Sequence, residues 1–360
     1  MDIGKVLRDV EGGHCLSEEE ASGLLKVRGR EVFEILSAAD TIREERAGPV
    51  VTYVRNQNIH ITNICKNLCG FCGFGRKEED EGAFCDDMDT IQRKVTLATS
   101  RNVTEICLLS GVHPRFTMQT YEDILLTVHR AAPAVHLHAF SPDEVLHAAR
   151  QSDITTREVL ERMKSAGLSS LQGTAAEILA DHVRSVICPR KVSAGEWIRI
   201  IREAHRMGIP TTATIMYGTC ESEEDRARHL ALLREIQQER GGFTELVPLS
   251  YVFHNTQLYR NGIAGPGASG REDLLLTAVS RLFLDNFRNI QVSWGKLGTK
   301  LGQLALLSGA NDLAGTMFSD DVSGDAGAAG ADYLDPLTMD IMVRDLGRTL
   351  RQRHTDYTLI

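Results

Sequence analysis

Three thiols crowd into one short segment, Cys65-Lys66-Asn67-Leu68-Cys69-Gly70-Phe71-Cys72, with the spacing C-x3-C-x2-C. On a loop that spacing lets three thiolates converge on one centre, and thiolates are soft ligands that favour iron–sulfur clusters or zinc. A structural zinc site is closed and tetrahedral, so it needs a fourth partner, which Cys85 or His60 would supply. A 4Fe–4S cluster held by three Cys instead leaves one iron open to a small chelating ligand. The remaining thiols, Cys15, Cys107, Cys188 and Cys220, read as ordinary buried side chains. Eight Cys scattered over 360 residues do not make a disulfide framework, and in a reducing compartment the cluster of three points to metal or redox chemistry.

Short β-like runs separated by longer amphipathic stretches must position these groups. The runs lie at Asn58–Asn63, Val103–Leu109, Val135–Phe140, Leu168–Leu171, Thr211–Tyr217, Glu245–Leu249, Asn289–Trp294 and Asp312–Gly315, with helical stretches such as Ser193–Met207 and Glu223–Gln238 between them. Strands alternating with helices predict an α/β protein built on a (β/α) TIM-type barrel, with an open doubly wound sheet as the alternative. The first turn has no G-x-G-x-x-G, which weakens a dinucleotide-binding version of that sheet. Before the barrel, residues 1–50 read as a helical extension, opened by a capping-box signature at Ser17 and Glu20 and ended at Ala47-Gly48-Pro49. The barrel is expected over 51–320. A loop and helical tail follow over 321–360: the glycine-rich run Ser323–Ala331 predicts a surface loop, and a short helix is expected around Thr338–Leu350.

The strands alternate in polarity. Asn58, His60 and Thr62 alternate with Ile59 and Ile61, His136 and His138 with Leu137 and Ala139, Thr212 and Thr214 with Ala213 and Ile215, and Gln291 and Ser293 with Val292 and Trp294. The outer face of a barrel lies under helices and is apolar, so the polar set points inward and predicts a hydrated interior for a polar substrate. A half-solvated antiparallel sheet would show the same alternation. Lys and Arg number 40 against 49 Asp and Glu, a net charge of -9 that argues against a general nucleic-acid binder. Hydrophobic content of 42% and charged content of 25% exclude intrinsic disorder. No apolar run is long enough for a membrane span, and Met1 to Asp9 lacks the apolar core of a signal peptide, so a cytoplasmic location is expected.

Cys65, Cys69 and Cys72, with Phe71 before the last thiol, resemble the radical S-adenosylmethionine (SAM) signature. That resemblance implies a 4Fe–4S cluster whose open iron chelates the amino and carboxylate groups of SAM. One electron then cleaves the sulfonium to methionine and a 5′-deoxyadenosyl radical, which abstracts hydrogen from a substrate. The segments His136–Pro142, Gly173–Leu179, Ala213–Gly218, Ile290–Trp294 and Gly309–Leu313 are similar to the group that holds the deazaflavin synthase subunits and the two radical enzymes of the futalosine menaquinone route. Gly173-Thr174-Ala175-Ala176-Glu177 is most similar to the deazaflavin synthase subunit that acts on tyrosine. The resemblance implies a transferase that abstracts hydrogen from the tyrosine amino group, fragments its Cα–Cβ bond, and adds the 4-hydroxybenzyl radical to C5 of 5-amino-6-(D-ribitylamino)uracil. It also implies an electron donor such as flavodoxin or ferredoxin and a second radical SAM subunit as candidate partners, and no nucleic acid or membrane.

By the same resemblance Phe71 packs near the adenine, Ser110 and Gly111 bring backbone to the methionyl amino group, and Glu177 bonds the adenosyl ribose. Glu177 also reads as the N3 residue of a capping box opened by Thr174. His138 is a candidate to orient substrate or accept a proton, its ordinary pKa lying near neutrality. Tyr217 and Asn255 are candidate pocket residues. The sequence departs from the group's usual pattern at Leu108–Gly111, where a glycine-rich pair is common, at Gln172, where proline is common, and at Phe253-His254-Asn255-Thr256-Gln257. Two alternatives stand beside this reading: an aminofutalosine-synthase-like enzyme adding the adenosyl radical to an enol ether, and a zinc-stabilised non-catalytic protein using Cys65, Cys69, Cys72 and Cys85.

Overall fold

The computed structural model describes residues 1–330 and 332–360, so Ala331, the last residue of the expected surface loop, lies outside the described residues. The strands are β1 (Val50–Val54), β2 (Asn56–Thr62), β3 (Glu105–Ser110), β4 (His136–Ala139), β5 (Ser170–Leu171), β6 (Thr211–Tyr217), β7 (Phe243–Ser250), β8 (Asp312–Gly315) and β9 (Thr349–Arg353). Strands β2 to β7 form a parallel sheet in sequential order, and β8, β1 and β9 form a second sheet. Parallel bridges Leu246–Ile290 and Gln291–Asp312 join β7 to β8. On the far side the Asn58 N–H donates to the Met317 carbonyl at 2.8 Å, and the Thr316 hydroxyl to the Asn56 carbonyl at 2.7 Å. These contacts close the ring on β2 and satisfy backbone groups that an open edge would leave bare.

Helices cover the outside, their apolar faces buried on the sheet. Capping boxes fix many of their starts: at the Ser17 helix the Ser17 N–H donates to Glu20 Oε2 at 2.8 Å, and the Glu20 N–H returns a bond to Ser17 Oγ at 3.2 Å. The helices Glu18–Leu25 and Glu31–Ala47 pack on the outer helices Glu223–Arg240 and Gly270–Phe283.

Several elements differ from the sequence reading, β1 and β9 among them, since neither is among the expected strand runs. The expected strand Asn289–Trp294 shrinks to bridges at Ile290 and Gln291, because the helix Trp294–Leu306 begins immediately after. Part of the expected loop is helical: Asp321–Ala326 forms a turn capped by the Asp320 carboxylate and ended by Gly327 at φ 108°. The tail helix spans Pro336–Asp345, starting on an Asp335 cap and stopping short of Gly347, whose φ of 70° leaves helical backbone. The chain then becomes β9, a polar strand that pairs in register with β1 from Val50–Thr349 to Val54–Arg353.

β9 carries Arg353 to the barrel floor, where its Nε stands 2.5 Å from Asp312 Oδ2 and its Nη2 3.0 Å from Oδ1. Both partners are buried, and the pair is bidentate. Thr355 donates to Glu105 Oε2 at 2.7 Å beside it.

Candidate active site

The loop after β2 is tied at its base by Cys65 N–H to the Arg76 carbonyl at 2.9 Å and Arg76 N–H to the Asn63 carbonyl at 2.8 Å. Its tip is pinned from outside. The Asn67 amide donates to Asp143, the Gly70 N–H to the Ile187 carbonyl at 3.0 Å, and the Leu258 N–H to the Gly70 carbonyl at 2.9 Å. Held this way, Cys65, Cys69 and Cys72 all line one cavity of about 330 Å³ at the C-terminal mouth of the barrel, where this architecture places its chemistry.

Burial pushes the Cys69 thiol well above its ordinary pKa and raises that of Cys72, while the Lys191 ammonium pulls both back. The Gly75 N–H donates to Cys72 Sγ at 3.4 Å. Thiolates at these positions therefore call for a cation, as ligation supplies. Cys85, the fourth ligand of the zinc alternative, is exposed and does not line the cavity, so among the described residues the loop offers three thiols to one space and no fourth thiol to close a tetrahedral site. A cluster that spreads its three thiolates over three irons suits this donor set better than zinc.

The other walls come from the strand ends. Ser110 and Gly111 line the cavity after β3. Gly111 is required there by packing, since a Cβ would stand 2.6 Å from the Ile64 carbonyl oxygen. Phe71 and Glu177 line it as well. No helix begins at Thr174, so the capping-box reading of Glu177 falls; Ala175 and Glu177 sit at φ 68° and 46°, and the next helix starts at Asp181.

Arg184 holds this left-handed turn in place by donating to the carbonyls of Ala175 at 3.0 Å, Ile178 at 3.3 Å, Ala176 and Val192. The Glu177 carboxylate pairs with Lys191 Nζ at 2.5 Å, and that ammonium lies 5.3 Å from the Phe71 ring centre. Desolvation opposes the Lys191 charge, but Glu177 and the neighbouring thiols outweigh it and hold its pKa well above the ordinary value.

A second cavity of about 190 Å³ fills the barrel below the mouth. Asn58, His138, Thr212, Thr214, Gln291 and Ser293 line it, so these members of the polar alternation do point inward. His60 does not line it: buried against Phe74, it sets Nδ1 3.1 Å from Asp321. His138 Nδ1 and His136 Nε2 each sit 2.7 Å from Ser170 Oγ. Desolvation depresses the His138 pKa to about 4, so the ring is neutral near pH 7 and only a weak base there.

Two candidates lie elsewhere. Tyr217 is buried with its hydroxyl 2.7 Å from Asp273 Oδ1, on the far side of its strand from both cavities, because inward positions on β6 belong to Thr212 and Thr214. Asn255 is exposed and donates to the Asp325 carbonyl at 3.0 Å, serving the loop–helix junction. Cys15 and Cys220 are also exposed, against the buried reading.

Sequence reasoning missed Lys191, Glu144, Glu245 and Arg353, because each reaches the cavities from a different element, and the one local motif among them, the capping box that joins Ser141 to Glu144, signals only a helix start. Gln172, a departure from the common pattern, donates to the Leu108 carbonyl at 2.7 Å and lines both cavities.

Residues 59–233 match the radical SAM superfamily and residues 240–359 the CofH/MqnC C-terminal region. The chain is 57% identical over 358 residues, 99% of its length and 98% of the relative's, to a protein of Methanosphaerula palustris named 5-amino-6-(D-ribitylamino)uracil–L-tyrosine 4-hydroxyphenyl transferase. It is 58% identical, with the same coverage, to one of that name from Methanoculleus marisnigri. Among solved structures it resembles the FeFe-hydrogenase maturase HydG from Carboxydothermus hydrogenoformans (TM-score 0.76, 15% identity, 98% of this chain and 79% of that one). It also resembles methylornithine synthase PylB (TM-score 0.72, 17% identity, 98% of each chain). The fold is thus the barrel that the strand rhythm predicts, and the chain belongs to the radical SAM family of the 5-amino-6-(D-ribitylamino)uracil–L-tyrosine 4-hydroxyphenyl transferases.

Proposed function

We propose that this chain transfers the 4-hydroxybenzyl group of tyrosine to 5-amino-6-(D-ribitylamino)uracil, in the making of a deazaflavin. The observation that carries this reading is 57–58% identity to relatives so named over 99% of this chain. Cys65, Cys69 and Cys72 would hold the 4Fe–4S cluster, and SAM would lie along Phe71, Ser110, Gly111 and Glu177. When bound, that pair supplies one-electron cleavage of the sulfonium and a carbon radical able to take hydrogen from tyrosine.

The chain's own residues do the rest. Lys191 neutralises Glu177 and sets its carboxylate for a ribose hydroxyl. Apolar walls such as Leu68, Met216 and Val252 exclude water from the mouth. His138, neutral and fixed by Ser170, presents a ring nitrogen to the interior without carrying charge there. An electron donor such as flavodoxin or ferredoxin, and a second radical enzyme to close the ring, would act before and after this step.

The reading is tested by an anaerobic assay of the reconstituted protein with SAM, dithionite, tyrosine and the aminouracil, followed by mass spectrometry. Deoxyadenosine with a tyrosine-derived adduct is expected. Deoxyadenosine without an adduct would overturn the substrate pair, and no iron–sulfur absorbance would overturn the radical chemistry with it.

A further inference from the structure

The interior cavity has a polar lining that the mouth chemistry leaves unused. Glu245, on β7, lines it at 4% exposure, and its Oε2 makes no hydrogen bond among the described residues. Burying a carboxylate oxygen without a partner is costly, and such groups persist where an occupant supplies the donor. Around it, Asn58 on β2, His138 on β4, Thr212 on β6 and Gln291 beyond β7 face the same space. Donors and acceptors therefore surround the cavity on several sides. A phenol asks for an apolar slot with one polar end, whereas a polyhydroxylated chain asks for polar groups spread along its length. Gln172, Thr174, Leu249, Lys296 and Asp320 line both cavities, so the interior space adjoins the mouth.

Resting on the transferase reading above, we propose that the interior cavity is the subsite for the ribityl chain of the aminouracil, with Glu245 gripping its hydroxyls. The pyrimidine ring then sits at the junction of the two cavities, with C5 facing the mouth where the benzyl fragment arises. Burial lifts the Glu245 carboxyl to about 7, against the opposing pull of Arg353, so near neutrality it can donate to or accept from a hydroxyl. No new bond forms at Glu245; it is a binding and specificity residue.

The test is anaerobic calorimetry on cluster-loaded wild type, Glu245→Gln and Glu245→Ala with two oxidation-stable probes, 5-nitro-6-(D-ribitylamino)uracil and 5-nitro-6-(methylamino)uracil. Glu245→Ala is expected to weaken the ribityl probe about 10-fold while leaving the methylamino probe and SAM within about twofold. Glu245→Gln, which keeps the side chain's shape, is expected to lose less, and it decides the question should the Ala variant fail to fold. Equal losses on both probes, or no loss on either, would overturn the subsite. Wild-type turnover separates the two levels: an adduct without Glu245 discrimination overturns the subsite alone, and no adduct overturns the transferase reading beneath it.

Discussion

At the scale of single residues, burial decides what each group does. Replacing Cys69 or Cys72 by Ser should abolish iron–sulfur absorbance and deoxyadenosine formation after reconstitution, while the melting temperature of the apo-protein moves only slightly. Absorbance near 400 nm and product mass check this, and a variant that retained both would remove the thiols from the cluster. His138, depressed to about 4 by desolvation, should contribute no limb near pH 6.5 to kcat/KM. The pH profile of His138→Asn should therefore keep the wild-type shape at reduced amplitude, and loss of an acid limb would restore the proton-acceptor role. The thiols were legible in the sequence because three soft ligands on one short loop have few other uses. Tyr217 and Asn255 were misread because residue type says nothing of direction: β6 turns Tyr217 outward to Asp273, and Asn255 serves a surface turn.

At the scale of elements, the turn from Thr174 to Leu179 is the part least visible in sequence. A Thr-x-x-Glu pattern imitates a helix start, yet Arg184 binds four carbonyls of and beside this segment and holds it in left-handed backbone. Arg184→Lys keeps the charge but loses the fork, so SAM affinity in the loaded protein should fall several-fold with little change in cluster content. Calorimetry with SAM checks it. His229 ties the same turn to β6, its Nδ1 accepting from the Leu179 N–H at 3.0 Å and its Nε2 donating to the Thr214 carbonyl at 3.0 Å.

Desolvation lowers the His229 pKa to about 3. A folded-state pKa below the unfolded value gives stability that is present above pH 6.5 and lost as pH falls toward 3. The stability gap between wild type and His229→Gln should thus narrow by up to about 2 kcal/mol between pH 7.5 and pH 5. Urea denaturation at the two pH values measures it, and a constant gap would refute the buried neutral ring.

At the scale of the whole molecule, alternation of strand and helix made the barrel legible, and alternation of polar and apolar residues within strands made its hydrated interior legible. The floor was not, because β9 reads Thr-Leu-Arg-Gln-Arg and has no hydrophobic rhythm; only pairing with β1 makes it a strand. Its Arg353 is paired with Asp312 where both are buried, so Arg353→Met should cost about 3–5 kcal/mol by stranding the carboxylate. Arg353→Met combined with Asp312→Asn should recover part of that loss, as equilibrium unfolding of both variants would reveal. The β1–β9 pairing also orders events in time. Tyr53 and Gln352, which touch across it, are 299 residues apart, and synthesis at roughly 5–20 residues per second separates them by about 15–60 s. While the thiol loop is already outside the ribosome, the vessel beneath it still has no base. A nascent chain therefore offers its cysteines to solvent and oxidants well before it can enclose a substrate, and cluster loading during translation would meet an open cup rather than the finished chamber.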